Sequence, residues 1–229
     1  MAKTFSQLKT NVGNMLQDTS GATATLIGVW INSAYQDAWA RCMWTDLIDD
    51  NFTFESVVDQ AEYSLESDFG EEVACVDIAN GHRLKRIQIK EWWDKYSHKY
   101  NGDSLDSGNP IRYIILEESN KIKLDPPPDT AETYAFPYKK TITSLSADSD
   151  TSAIRDLDTY LEYYAIGMGF AYKRKFAVST EWNNRAEFEL AKRIKQEKIK
   201  INQRYQIVPA GNAMTRKFRL LGDQSYDSI

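Results

Sequence analysis

The chain has 229 residues, 42% of them hydrophobic and 27% charged, with a formal net charge of −5 at pH 7. That is enough apolar material to bury a core as one large domain or two small ones. No run approaches the roughly eighteen apolar residues of a membrane span. The opening Met1-Ala2-Lys3-Thr4-Phe5-Ser6-Gln7 lacks the apolar stretch of a signal peptide, so synthesis and function without secretion are expected.

Thr4-Phe5-Ser6-Gln7 fits a helix capping box, and Phe5, Leu8, Val12 and Met15/Leu16 continue with helical spacing until Thr19-Ser20-Gly21 stops it. A second helix is predicted from about Ala24 to Trp44, with Ile27, Trp30/Ile31, Ala34, Ala38 and Arg41/Cys42 on one stripe. Tyr35 and Trp39 lie on its other side, and a helix apolar on two sides packs on two sides. The period changes at Asn51. Phe52 and Phe54, then Tyr63 and Leu65, alternate with polar residues as strands do. Val73–Val76 and Leu84–Ile89 read as further strands joined through the turn signal Asn80-Gly81. Glu91–Tyr100 reads as a short helix and Asn101–Pro110 as a loop. Ile111–Leu116 and Lys121–Leu124 make a hairpin about Ser119-Asn120, which Pro126-Pro127-Pro128 ends. One last strand is expected from Glu132 to Ile142, with Pro137 marking an edge or a bulge.

Helical period returns near Ile154, with Leu157, Leu161, Tyr164/Ala165, Met168, Ala171/Tyr172 and Lys175/Phe176 on one stripe. Gly167 and Gly169 interrupt it, and two glycines inside a helix suggest close approach to another backbone. A final helix is expected near Thr180, carrying Trp182, Ala186, Leu190 and Ile194 and turning basic toward Tyr205. Past Pro209 the chain is polar and basic without a period, and reads as an extended tail. The expected fold is therefore α+β. Helical pairs 1–48 and 151–206 form a four-helix bundle, 49–150 is a β-rich insert, and 207–229 is the tail.

Charge and aromatics are unevenly placed. Between Cys42 and Asn80 there is no Lys or Arg, whereas Asp and Glu recur from Asp46 to Asp77. From Leu190 to Leu220 the balance reverses, with Lys192, Arg193, Lys195, Lys198, Lys200, Arg204, Arg216, Lys217 and Arg219 against only Glu197, and the last three cluster about the aromatic Phe218. Opposite charge at two places in one chain can draw neighbouring copies together, although two unrelated solvated faces are the commoner meaning of such runs. Six Trp and thirteen Tyr suit either an aromatic core or surfaces that close on a partner. Trp30, Tyr35, Trp39, Trp92 and Trp93 are the candidates for packing between subunits. Lys192, Arg193, Lys195, Lys198, Arg216, Lys217, Phe218 and Arg219 are the candidates for partner binding.

Catalytic and metal chemistry find little footing, and no cofactor is implied. Of the two histidines, His82 sits in a turn and His98 follows Asp94 by one helical turn with no nucleophile or metal partner in the pattern. Asn101, Asp103, Asp106 and Asn109 miss the calcium-loop spacing, because Leu105 and Arg112 fall where ligands are needed. The acidic run lacks a nearby cation to handle a phosphate, which weighs against a two-metal nuclease. The cysteines Cys42 and Cys75 read as buried thiols rather than a disulfide. A nucleic-acid-binding module using the basic helix 190–204 remains a second reading. A small metal-dependent nuclease or hydrolase is a third.

In order along the chain, four segments resemble the head-to-tail adaptor (connector) proteins of tailed bacteriophages. They are the helix Trp30-Ile31-Asn32-Ser33-Ala34-Tyr35-Gln36-Asp37-Ala38-Trp39, followed by Trp44, and the strand entry Gly108-Asn109-Pro110-Ile111-Arg112-Tyr113. The others are the hairpin end Ile122–Asp129 with the strand Tyr134–Lys140, and the helix Leu157–Ala165. The chain departs from the pattern at Ile154-Arg155, where a Pro often precedes this helix. The resemblance implies a structural subunit of the virion neck, in a ring of about twelve copies beneath the portal protein. Downstream tail or neck proteins would bind it, and double-stranded DNA would pass through its channel without sequence-specific contact. It implies no membrane partner and no enzyme activity.

Overall fold

The computed structural model describes residues 2–18, 20–96 and 107–204. Helix α1 (Phe5–Leu16) starts where Thr4 caps it. The Gln7 N–H donates to Thr4 Oγ1 at 3.3 Å and the Thr4 N–H to Gln7 Oε1 at 3.0 Å, completing the expected box. It stops earlier than the Ser-Gly signal, at Gln17, whose left-handed backbone returns its N–H to Asn14. Helix α2 (Gly21–Arg41) carries Ile27, Ile31, Ala34 and Ala38 buried on the predicted stripe. It ends three residues before Trp44, whose indole is fully buried and donates to the Ala38 carbonyl at 2.8 Å.

The chain divides into two compact units, and the division falls inside α2. One unit contains the segments up to Ala34 and from Asp156 onward; the other is Tyr35–Arg155. In the first unit, α4 (Asp158–Tyr172) packs against α1 and against α5 (Phe176–Arg204), while α2 touches α1 at Gly28 and α4 through the Trp30 and Tyr172 rings. The two glycines of α4 are notches for side chains rather than for a backbone. A Cβ at Gly169 would overlap the Leu16 side chain, and one at Gly167 the Asn183 amide. Glu162 of α4 is buried and accepts from Lys3 Nζ at 2.8 Å and from Asn11 Nδ2 at 2.6 Å, fastening α1 across the helix. Helix α5 begins at Phe176, four residues ahead of the expected start.

The second unit holds the end of α2, one short helix α3 (Ile89–Tyr96) and three small sheets. Strands β1 (Ile48–Asp49), β11 (Tyr138–Lys140) and β4 (Phe69–Glu72) form one, in that order. Strands β2 (Thr53–Glu55), β10 (Thr133–Ala135), β5 (Val76–Asp77) and β6 (His82–Arg83) form the second. Strands β3 (Glu62–Ser64), β9 (Lys121–Asp125), β8 (Arg112–Leu116) and β7 (Lys85–Arg86) form the third, where β7 runs parallel to β8. The expected β8–β9 hairpin is present, with Arg112 opposite Asp125 and their side chains paired at 2.7 Å. Gly81, with φ +67°, makes the expected turn between β5 and β6.

Three strand expectations need correction. The single strand expected over 132–142 is two strands in different sheets, because the chain turns at Phe136-Pro137 and Pro137 has no N–H for a ladder. Val73–Val76 is mostly irregular between β4 and β5. In Leu84–Ile89 only Lys85-Arg86 is strand, and Ile89 already belongs to α3. What unites the sheets is an aromatic centre. Phe136 is fully buried, with the rings of Phe52, Phe69 and Tyr113 all within 6.4 Å of its own, centroid to centroid.

Candidate assembly surfaces

The acidic run from Asp46 to Asp77 is largely answered inside its own unit. Strand β11 brings Lys139 and Lys140 between the two acidic edge strands β1 and β4. Lys140 reaches Asp49 at 2.9 Å and Asp68 at 3.8 Å, while Lys139 reaches Glu71 at 3.6 Å. Arg155 holds Asp46, Arg86 holds Glu72 and Lys121 holds Glu62. Donation from Lys140 keeps the Asp49 carboxyl below the usual carboxylate range, and Lys140 is raised in return. Lys139 is buried. Its ammonium donates to the Trp39 carbonyl at 2.7 Å in the last turn of α2 and lies 4.2 Å from the Trp39 ring centroid, while burial pulls its pKa down. Much of the acidic run is therefore tied by cross-strand and long-range pairs, which the sequence hides because most of the cations come from far along the chain.

The proposed inter-subunit aromatics mostly face inward. Trp30, Tyr35 and Trp92 are buried, and the Tyr35 hydroxyl accepts the Ala153 N–H at 2.9 Å. Trp39 is half-buried and donates to the Lys140 carbonyl at 2.9 Å. Trp93 alone of the five is exposed, standing edge-on to Trp92 at 5.0 Å. Large side chains on a helix apolar on both sides have been used to fill this chain's own core.

The basic residues divide. Arg193 is 4% exposed and pairs with the fully buried Glu197 at 2.8 Å, so it is a structural cation and not the surface contact expected of it. Lys192, Lys195 and Lys198 are exposed, with Lys192 3.5 Å from Glu189. Arg216, Lys217, Phe218 and Arg219 lie outside the described residues, as do His98 and most of the Asn101–Pro110 loop. His82 stands 3.6 Å from the buried Asp77 carboxylate and 3.3 Å from the Pro110 carbonyl. Among the described residues no cluster of His, Cys, Asp and Glu could hold a metal ion, and no helix is long and apolar enough to cross a membrane. Neither cysteine is in a disulfide: Cys42 is half-buried, and burial pushes the Cys75 thiol up to about 12.

Two exposed features escaped the sequence reading. On α5, Phe188 and Ile199 are 69% and 50% exposed, and at 100° per residue they share a stripe with Lys192 and Lys195. Phe188 also borders a shallow hollow with Tyr163 and Arg185. The signal was available, since both residues fall off the Trp182–Ala186–Leu190 face. In the insert, the β2–β10–β5 sheet ends in Val57 and Val58 on one side and Ile78 on the other. Ser56 and Ile78 both bond back to the 132–133 segment, which fixes these loops at one sheet end. Glu55, Asp59 and Asp129 at that end are exposed.

The described residues thus hold an insert whose acidic run is only partly paired and a helix α5 with a partly basic, partly apolar exposed face, surfaces suited to packing against other chains. Residues 3–211 match the family described as SU10 adaptor protein, and the chain belongs to that family. This is a phage head-to-tail adaptor family, a structural class and not an enzyme class. Membership makes the chain a structural adaptor of the virion, assembling with phage portal and tail proteins. No curated protein matches the chain.

Proposed function

We propose that the protein is a ring-forming neck subunit that seats beneath the portal, joins capsid to tail and lines the channel through which DNA passes. The observation that carries this reading is the family match over residues 3–211. About twelve copies would close such a ring by one repeated contact between unlike surfaces. Residues 1–48 and 151–206 complete a four-helix bundle, 49–150 form the β-rich insert, and 207–229 reach a neighbouring ring through Arg216, Lys217, Phe218 and Arg219. The formal charge supports a conduit. Residues 35–155 carry 23 Asp and Glu against 13 Lys and Arg, and an acidic wall repels phosphate so that DNA slides past it.

Mixing the purified chain with the portal of the same phage tests the reading by native mass spectrometry and electron microscopy. A ring of adaptor copies on the portal is expected. Absence of any complex, together with reproducible metal-dependent cleavage of DNA, overturns it.

A further inference from the structure

We propose that the outward stripe of α5 on one copy docks on the acidic end of the β2–β10–β5 sheet of a second copy. The proposal rests on the ring reading and specifies which surfaces close the ring. The stripe presents Phe188 and Ile199 with Lys192 and Lys195 beside them. The sheet end presents Val57 and Ile78, 54% and 52% exposed, with Glu55 and Asp59 beside them. Each surface has an apolar centre and a charged rim, the composition of a protein interface, and the rims are of opposite sign.

The charge is not local decoration. The residues outside 35–155 carry 15 Lys and Arg against 10 Asp and Glu, a formal +5, while 35–155 carries −10. Two copies therefore attract when the helical unit of one meets the insert of the other, and repel when insert meets insert. That preference selects a head-to-tail contact, the kind that generates rings, over a two-fold dimer. The carboxylates chosen are those that no cation of the described residues holds, although Asp59 accepts the Ser107 hydroxyl. Asp46, Asp49, Glu71 and Glu72 are engaged by Arg155, Lys140, Lys139 and Arg86, whereas Glu55 sits on the rim with no cation on its own or adjoining strands. Exposed ion pairs contribute little each, so the charges set register and encounter rate while burial of Phe188 and Ile199 against Val57 and Ile78 supplies the affinity.

The test uses the full chain and three reversed forms: Lys192→Glu with Lys195→Glu, Glu55→Lys with Asp59→Lys, and all four together. Sedimentation velocity across a concentration series reads self-association, with and without the portal as a nucleus, and circular dichroism checks that each form folds. All four sites are exposed, but Asp59 has φ +63° and accepts the Ser107 hydroxyl. Glu55→Lys alone is therefore run beside the two-site form, and it is expected to fold as the wild type and to weaken association in the same direction. Each two-site reversal should weaken association by about tenfold or more. The four-site form, and an equal mixture of the two two-site forms, should recover it. Phe188→Ala should speed dissociation by about tenfold while leaving the salt dependence of association unchanged. Wild-type rings with silent reversals overturn this pairing and leave the adaptor reading standing, as does loss in the two-site forms without recovery in the four-site form. A wild type that neither self-associates nor binds the portal overturns both.

Discussion

The helical unit and the β insert reach stability by different routes. In the helical unit each contact is local to a named pair. Glu162 takes Lys3 and Asn11, and Gly169 makes room for Leu16. Capping at Thr4 fixes where α1 starts, and ahead of α2 Asp18 accepts the Ser20 N–H and the Thr23 hydroxyl. The insert has strands of two to five residues, too short to hold themselves, and depends on one aromatic cluster shared by three sheets and on cations imported from distant sequence. A long helix tolerates the loss of one contact because its backbone hydrogen bonds persist. A two-residue strand has no such reserve.

The comparison is tested most severely at Phe136. Phe136→Ala empties a fully buried site among Phe52, Phe69 and Tyr113. A loss of about 3–5 kcal/mol in urea unfolding is expected, with the insert losing hydrogen-exchange protection first. Equal, simultaneous loss in both units would break the distinction drawn here.

Gly169→Ala should cost about 1–3 kcal/mol through overpacking against Leu16. The cost should shrink in a Leu16→Ala background, where the notch is no longer filled. If the two changes simply add, the notch is not what the glycine serves. Glu162→Ala is expected to cost about 1–3 kcal/mol, measured the same way, since it leaves the Asn11 amide without its carboxylate.

A smaller, pH-dependent effect belongs to the α2 start. The Ser20 N–H, then the Ser20 and Thr23 hydroxyls, hold the Asp18 carboxyl down at about 2. A depressed carboxyl stabilises the fold above its unfolded value near 4 and loses that contribution as pH falls toward 2. The unfolding midpoints of the wild type and Asp18→Asn should therefore differ at neutral pH and converge in strong acid. A gap that stays constant down to pH 2 contradicts the assignment. The smallest effect is chemical. Cys75, fully buried with its thiol pushed up to about 12, should resist alkylation at pH 8 until the insert unfolds, whereas half-buried Cys42 reacts earlier. Peptide mass mapping over time distinguishes the two.

Legibility followed the range of the interactions. Helix α1, its cap, the α2 stripe, the β8–β9 hairpin and the Asn80-Gly81 turn were readable because spacing or turn chemistry within a few residues determines them. Family membership was readable too, from four diffuse motifs in order. Arg193 was misread for a physical reason. A cation within a basic run looks solvated unless Glu197, one turn on, is known to be buried beside it. Phe188 and Ile199 could have been found by asking which apolar residues fall off the predicted buried face of α5.

What the sequence alone determined is the order of the elements, the periodic faces of the helices and the uneven charge, all encoded within one or two turns of chain. Only the tertiary structure decided which charges remain for a partner. Lys139, Lys140 and Arg155 are 68, 91 and 109 residues from Glu71, Asp49 and Asp46. No local pattern records pairings that form only when β11 lies between two other strands and Arg155 returns to Asp46. It also decided that Trp30, Tyr35 and Trp92 are core and that Val57 and Ile78 are surface. Burial depends on what the rest of the chain brings to each side chain, and that is set only when the sheets close around Phe136.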